Sequence, residues 1–321
     1  MTRAKFGPPD VLELREVDKP APEDDQVLVR VRAASVNRAD WYDLTGTPLL
    51  VRPMMGLRGP KSQLFGGDFA GTVEAVGAGV TEFQPGDEVY GARDGACADY
   101  VCVRDGVARK PTNLTFEEAS AVPIAGLTAL QGLRDHGQLQ QGQRVLVNGA
   151  SGGVGTFAVQ IAKALGGEVT AVCSTRNVEQ ARSLGADHVV DYSREDFTRG
   201  GRRYDLVLDI AGSQPWRKLR RVLGPQARVV VVGGPNGRVV GPLGHIANVK
   251  LGALGKSRTA AFFVAKLKRA DLDVLRELIE AGKVKPVVEE RFELAELPAA
   301  MRQMGEGHAQ GKLVITVGSG V

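Results

Sequence analysis

Cysteine, histidine and aromatic residues are scarce in this chain of 321 residues, and each scarcity excludes something. The three cysteines, Cys97, Cys102 and Cys173, are odd in number and lack zinc-ribbon spacing. That argues against a disulfide framework and for free thiols in a reducing compartment, so a cytoplasmic location is expected. His136, His188, His245 and His308 are scattered. No stretch is long and apolar enough to span a bilayer, because Arg, Lys, Asp, Gly or Pro interrupts every candidate. Met1 to Phe6 meets Gly7-Pro8-Pro9 before an apolar run can build, which argues against a signal peptide. An excess of one charge is missing too: 41 basic and 37 acidic residues are interspersed, giving a net charge of +4. The basic runs Arg199 to Arg203 and Arg217 to Arg221 have no interleaved aromatic rings of the kind that stack on bases. Neither nucleic acid nor a membrane is therefore an expected partner, whereas a small anionic ligand is compatible with the charge.

What is present is a hydrophobic content of 43%, enough for a full core, on a length that suggests two domains. The first third reads as strands and turns: Gln26 to Ala33 alternates at period two, Ala70 to Gly77 less cleanly, and Pro85-Gly86-Asp87-Glu88 turns into Val89-Tyr90. From about Val122 the rhythm changes. Short apolar runs at Gln143–Val147, Glu168–Cys173, His188–Asp191, Tyr204–Ile210 and Arg228–Val232 read as strands. Helical stretches at Val154–Leu165, Val178–Leu184 and Pro215–Leu223 separate them. Strands alternating with helices predict a doubly wound parallel sheet, so the fold class is α/β. In Pro215–Leu223, Arg217, Arg220 and Arg221 share a face opposite Leu219 and Val222, the pattern of a surface helix. The tail predicts a helix over Ala270–Ala281, a strand over Val284–Glu290, a short helix over Leu297–Met304 and a final strand over Lys312–Val317.

The run Asn148-Gly149-Ala150-Ser151-Gly152-Gly153-Val154-Gly155 lies between a predicted strand and a predicted helix. Ala150, Gly152 and Gly155 keep the G-x-G-x-x-G spacing with Ala in the first place. A Gly-rich turn at a helix N-terminus meets a pyrophosphate with backbone N–H groups and the helix dipole, so these residues, including Ser151, Gly153 and Val154, predict a dinucleotide site. About 20 residues on, where a carboxylate would bind the ribose 2′-hydroxyl of NAD, the chain reads Cys173-Ser174-Thr175-Arg176-Asn177. Ser174 and Thr175 can donate hydrogen bonds, and Arg176 can pair with a 2′-phosphate through its planar fork. NADPH is the expected cofactor.

With these residues goes a series of motifs in order. They are Ala34-Ser35-Val36-Asn37-Arg38-Ala39-Asp40-Trp41-Tyr42, Gly67-Asp68-Phe69-Ala70-Gly71-Thr72-Val73, Pro85-Gly86-Asp87-Glu88-Val89, Gly126-Leu127-Thr128-Ala129, the Gly-rich turn, and Ser183-Leu184-Gly185-Ala186-Asp187. Over nearly its whole length the chain resembles the zinc-independent branch of the medium-chain dehydrogenase/reductase superfamily, the quinone oxidoreductase group that includes zeta-crystallin. The resemblance implies a GroES-like β-rich catalytic domain built from both chain ends, residues 1–122 and 259–321, around a Rossmann NADPH-binding domain at 123–258. It implies Thr128 near the nicotinamide, Tyr192 beside the adenosine phosphate, and loops Asp209–Gly212 and Gly233–Gly237 (Gly233 and Gly234 among them) lining the nicotinamide. Gly311-Lys312 resembles a further cofactor-contacting stretch, and a homodimer is the implied assembly.

Zinc-bearing relatives place a Cys near Asn37 and Gly-His-Glu where this chain has Gly66-Gly67-Asp68, so no metal is expected. Hydride transfer is the cofactor's chemistry, and the protein must stabilise the charge that develops on the acceptor oxygen. Asn37, through its amide, and Tyr42, through its phenol, are the candidate catalytic donors. Asp40 reads as a helix cap and Asp68 as a stabiliser of loop backbone. Without a metal to polarise a simple ketone, quinones and α,β-unsaturated carbonyls are the expected electrophilic substrates. An enoyl-thioester reductase and a non-catalytic NADPH-binding sensor or structural protein remain alternatives. The stretch Leu49 to Lys61 is longer and more basic than expected in quinone reductases; Met54, Met55 and Leu57 could pack an apolar acceptor, and Arg52, Arg58 and Lys61 could attract an anionic one, or it is a solvated surface loop.

Overall fold

A computed structural model describes residues 1–56, 59–235, 237–255, 257–307 and 310–318. In chain order the strands are Val27–Val36 (β1), Asp68–Val76 (β2), Glu88–Ala92 (β3), Tyr100–Val103 (β4), Val107–Arg109 (β5), Arg144–Asn148 (β6), Glu168–Cys173 (β7), His188–Asp191 (β8), Tyr204–Asp209 (β9), Leu223–Val231 (β10), Thr259–Phe262 (β11), Val288–Glu293 (β12) and Lys312–Thr316 (β13). The chain divides into two compact units: Met1–Leu127 with Lys266–Gly282 and Pro286–Val321, and Thr128–Ala265 with Lys283–Lys285.

The first unit is built on a seven-stranded sheet in the order β12-β13-β1-β2-β3-β5, with β4 also paired to β1. In β1 the exposed Arg30 and Arg32 alternate with buried Val29, Val31 and Ala33, so one face turns to the core and the other to solvent. Beyond Ala33 the strand, flanked antiparallel by β13 and β2 (Ala34 opposite Ile315 and Phe69), is buried on both faces, with Phe116, Ser120 and Ala121 packed against it. The end of the chain thus completes a sheet begun at its start. Helix Leu297–Glu306 covers it with Leu297, Ala300, Met301 and Met304, spaced so that all four lie on one helical face. They pack into a core with Leu44, Phe65, Phe69, Val89 and Leu313.

The second unit is an all-parallel six-stranded sheet in the order β11-β10-β9-β6-β7-β8. Val145–Val147, Leu206–Leu208 and Val229–Val231 are at most 1% exposed, the continuous apolar runs that a sheet covered on both faces requires. Burying each such side chain contributes about 1.5–3 kcal/mol. Strand β11 continues this sheet beyond residue 258, where the sequence reading closed the second domain, because its residues pair in register with β10. The stretch read as a helix over Pro215–Leu223 is helical only at Trp216–Leu219, and Leu223 already begins β10. Its charges still face out while Leu219 and Val222 are buried. The other basic run is taken up by surface pairs, Arg199 with Asp196 at 3.7 Å and Arg202 with Glu168. Among the described residues no helix is long and apolar enough to cross a membrane.

Candidate functional site

Strand β6 lies at the middle of the parallel sheet: the chain proceeds outward through β7 and β8 on one side, then crosses to β9, β10 and β11 on the other. At such a reversal the loops leaving β6 and its neighbour diverge and open a crevice at the strands' C-terminal ends. A pocket of about 590 Å³ occupies that position, lined by Asn148 and Gly149 after β6, Cys173 at the end of β7, Tyr192 after β8, and Ala211 and Ser213 after β9.

The Gly-rich turn forms one wall. Gly149 and Ala150 both donate backbone hydrogen bonds to the Val172 carbonyl, pinning the turn to β7. Ala150 is completely buried, so the Ala in the first motif position packs into the sheet. Helix Gly153–Ala164 begins at once, with Gly152 as its N-cap and no side chain capping it. A Cβ on Gly155 would lie 2.1 Å from the Gly149 carbonyl oxygen, so only glycine lets the helix come this close to the turn. A Cβ on Gly152 would meet nothing within 4 Å. The helix therefore presents its first N–H groups to open space beside Ser151, which lines the pocket, and the arrangement of Ser151, Gly152, Gly153 and Val154 fits a pyrophosphate.

On the β7–β8 side, Ser174 accepts a hydrogen bond from the Asn177 amide at 3.2 Å, and Thr175 begins a 3₁₀ turn through Asn177. Thr175, expected to face a cofactor, instead donates its hydroxyl to Asp191 at 2.6 Å. Asp191 also accepts from the Ser193 backbone, and these bonds hold its carboxyl below the usual range. Arg176 is exposed and Tyr192 is 60% exposed at the pocket wall. Burial pushes the Cys173 thiol up to about 11, so it stays protonated at neutral pH.

On the β9–β10 side, Asp209 is wholly buried and accepts from Asn148 at 2.7 Å and from the Gly212 backbone at 3.0 Å. Its other oxygen lies 2.7 Å from Nε2 of His245, a residue that the sequence pattern left among scattered histidines. A Cβ on Gly233 would lie 2.4 Å from the Ile210 carbonyl oxygen, so the loops after β9 and β10 run in backbone contact. Asn236, within the second of these loops, lies outside the described residues. Thr128 is half-buried in helix Pro123–Gln131.

In the first unit, Ser35, Asn37 and Asp68 of the Asn37 and Asp68 motifs converge with Lys312. Asp68 is wholly buried and accepts from Lys312 at 3.0 Å, Asn37 at 2.9 Å, Ser35 at 3.0 Å and the Ile124 backbone at 2.9 Å. It therefore holds backbone, as expected, and also neutralises a lysine 244 residues away. Asn37 and Lys312 each find partners inside this cluster. The Asn37 amide, read as a candidate hydrogen-bond donor to the acceptor, donates from its nitrogen to Asp68 while its oxygen accepts from Lys312 at 2.5 Å. The Lys312 ammonium, placed by resemblance at the cofactor, is 2% exposed and committed to these two partners. Removing either member of such a pair would strand a buried charge, at a cost of about 3–5 kcal/mol. Asp40 caps from the third position of helix Arg38–Thr45, accepting the Asn37 N–H at 2.6 Å. Its own burial pushes the carboxyl up to about 7.

Tyr42 stands one turn further along this helix. Burial raises its phenol while the Arg38 guanidinium, four residues back, pulls the other way. Arg38 is itself half-buried, and its Nη1 has no hydrogen-bond partner among the described residues. Nothing in the sequence distinguishes Arg38 from other charged residues near a helix start. In the Leu49 to Lys61 stretch, Arg52 stacks over the Phe6 ring at 4.8 Å and Met54 is 74% exposed, whereas Leu57 and Arg58 lie outside the described residues.

A family model described as alcohol dehydrogenase GroES-like domain matches residues 23–130, and one described as zinc-binding dehydrogenase matches residues 184–315. The mitochondrial NAD(P)H oxidoreductase RTN4IP1 of Mus musculus is 36% identical over 91% of this chain and 82% of its own. The chloroplastic quinone-oxidoreductase QR1 of Triphysaria versicolor is 32% identical over 94% of this chain and 92% of its own. The structure of the quinone oxidoreductase from Coxiella burnetii has a TM-score of 0.86 and 31% identity over 98% of both chains. The chain belongs to the quinone oxidoreductase group of the medium-chain dehydrogenase/reductase superfamily. The fold is that of the superfamily, a GroES-like N-terminal domain with a Rossmann-like parallel sheet. The protein is accordingly an oxidoreductase of an NAD(P)H-dependent family. The Escherichia coli quinone oxidoreductase complexed with NADPH is 27% identical, with a TM-score of 0.82, over 99% of this chain and 100% of that one.

One matching family model carries zinc in its description, and the described residues offer no ready donor set for that ion. Among the described residues no group of three or more His, Cys, Asp or Glu side chains could hold a metal. The space between the Asn37 and Asp68 oxygens is filled by the Lys312 ammonium. Cys97 is fully buried with its thiol pushed up to about 12, so it is no ready thiolate ligand. His308 lies outside the described residues.

Proposed function

We propose that this oxidoreductase uses NADPH, without zinc, to reduce quinones or α,β-unsaturated carbonyls. The observation that carries the reading is the end of β7, where the segment that meets the adenosine ribose in such sheets offers Ser174 and an exposed Arg176 and no carboxylate of its own, the nearby Asp191 being engaged by Thr175 and the Ser193 backbone. A planar guanidinium suits a 2′-phosphate, which an acidic residue there would repel. When bound, the dinucleotide supplies the hydride. The chain's own work is to seat the pyrophosphate on the N–H groups of Gly152 to Val154, with Tyr192 and Arg176 toward the adenosine end. On the acceptor, Tyr42 donates a hydrogen bond to the oxygen that gains charge; its raised pKa keeps the proton on the phenol at neutral pH. Asn37 acts through Lys312 and Asp68 by holding that helix start in place. The protein is proposed to work as a homodimer in a reducing, cytoplasmic compartment.

NADPH consumption by the purified protein with 1,4-naphthoquinone, cinnamaldehyde and crotonyl-CoA, with and without EDTA, tests this. Turnover of the quinone or the enal that survives EDTA is expected, with kcat falling about 10- to 100-fold in Tyr42→Phe. EDTA-sensitive turnover, or turnover of the thioester alone, would contradict it.

A further inference from the structure

The Asp209–His245 pair is the most buried pair of ionisable groups in the second unit that the proposed chemistry leaves unused. Asp209 is 0% and His245 9% exposed, and 2.7 Å separates Oδ2 from Nε2. The other carboxylate oxygen ties in Asn148, the first residue of the Gly-rich turn, and the Gly212 backbone; the Asn148 amide also reaches Ser213 Oγ at 3.0 Å. One carboxylate thus joins the ends of β6 and β9 to helix Pro242–Ala253, which carries His245.

The histidine side chain also lies beside two glycines, its ring toward Gly212 and its Cβ toward Gly234. Gly212 has a φ of +60°, and a Cβ there would sit 2.4 Å from the Gly234 Cα and 3.1 Å from Cδ2 of His245. A Cβ on Gly234 would sit 2.9 Å from Pro242 Cα and 3.5 Å from the His245 Cβ. The loops after β9 and β10 therefore touch backbone to backbone, with the imidazole closing the contact and Asp209 fixing the imidazole. In a dinucleotide fold the ribose next to adenine is met at the end of the strand following the Gly-rich turn, here β7. The β9–β10 loops, on the opposite side of the turn, are left for the nicotinamide half.

We propose that His245 is a positioning residue: held by Asp209, it clasps the Gly212 and Gly234 loops into the cradle that receives the nicotinamide half of the cofactor. The proposal rests on the cofactor reading above and adds to it a selective role for one half of the ligand. A buried carboxylate that loses one donor cannot recover it from water, so the loops lose the register that the clasp sets.

The test compares wild type with His245→Phe, which fills the space without a donor, and His245→Gln, which keeps a donor on a flexible arm. NADPH binding is read from nicotinamide fluorescence, and 2′,5′-ADP, a probe of the adenosine half alone, is titrated calorimetrically. Expected is an NADPH affinity about tenfold or more weaker in His245→Phe, with 2′,5′-ADP affinity within about twofold of wild type and partial recovery in His245→Gln. Unchanged NADPH affinity in His245→Phe would overturn the proposal, as would an equal loss for both probes, which marks a general structural role. Should His245→Phe not fold, the same comparison is made on His245→Gln, where NADPH must weaken more than 2′,5′-ADP. A wild-type protein that binds neither probe overturns the cofactor reading itself, in a control that precedes every variant.

Discussion

At the scale of single residues, the buried polar groups of the first unit divide by how their charge is met. Asp68 is matched by Lys312 and three further donors, whereas Asp40 has one backbone N–H, the Asp68 charge near it, and burial against it. Its folded-state pKa of about 7 stands above the 3.8 of an exposed carboxyl. The native state therefore holds a proton that the unfolded chain has released, so the contribution of Asp40 to stability is fully present below about 4 and is lost as the pH rises toward 7. At about 1.4 kcal/mol per pH unit the loss is on the order of 4 kcal/mol. Asp40→Asn keeps an acceptor for the Asn37 N–H but cannot ionise. Its melting temperature should gain on that of wild type between pH 4 and pH 8, as followed by thermal unfolding at intervals across that range; parallel profiles would contradict the assignment. The capping role of Asp40 is legible in the sequence, but its burial and its charged neighbours are not. The types at Asn37, Asp40 and Asp68 mark a polar cluster, but the lysine that completes it is 244 residues from Asp68, and no local pattern announces a partner at that distance. A donor free in the sequence turned out to be spent in the fold.

At the scale of elements, the strands that alternate or run apolar were legible and the segments without a period were not. Glu168–Cys173 and His188–Asp191 were read to the residue, since each is a short apolar run between turn formers. Helix Pro242–Ala253 was not seen: Gly244 and Gly252 interrupt it and its apolar residues mark no single face. With it went His245. The Gly-rich turn makes two of its glycines experimentally separable. Gly155→Ala forces a Cβ to 2.1 Å from backbone and should destabilise the protein by about 1–3 kcal/mol. Gly152→Ala has open space and an ordinary φ of −79°, so its melting temperature should match wild type while NADPH binding weakens, because the new methyl stands where the pyrophosphate approaches. Thermal unfolding beside an NADPH titration checks both, and a Gly152→Ala protein that binds NADPH as tightly as wild type would move the phosphate elsewhere.

At the scale of the molecule, the sequence rhythm was sufficient for the two-part architecture because its two halves obey different periodicities, alternation in β1 and unbroken apolar runs in β6, β9 and β10. What rhythm could not convey is chemistry at the ends of strands, where the proposed choice of NADPH rests on a few exposed side chains after β7. The central claim is that those side chains select NADPH. Its most direct test is kcat/KM for NADPH against NADH with 1,4-naphthoquinone as acceptor, measured on wild type and Arg176→Ala. A clear preference for NADPH is expected, lost through a rise in the KM for NADPH when Arg176 is removed, with NADH little changed. Equal use of both cofactors by the wild type, or a preference for NADH, would contradict it.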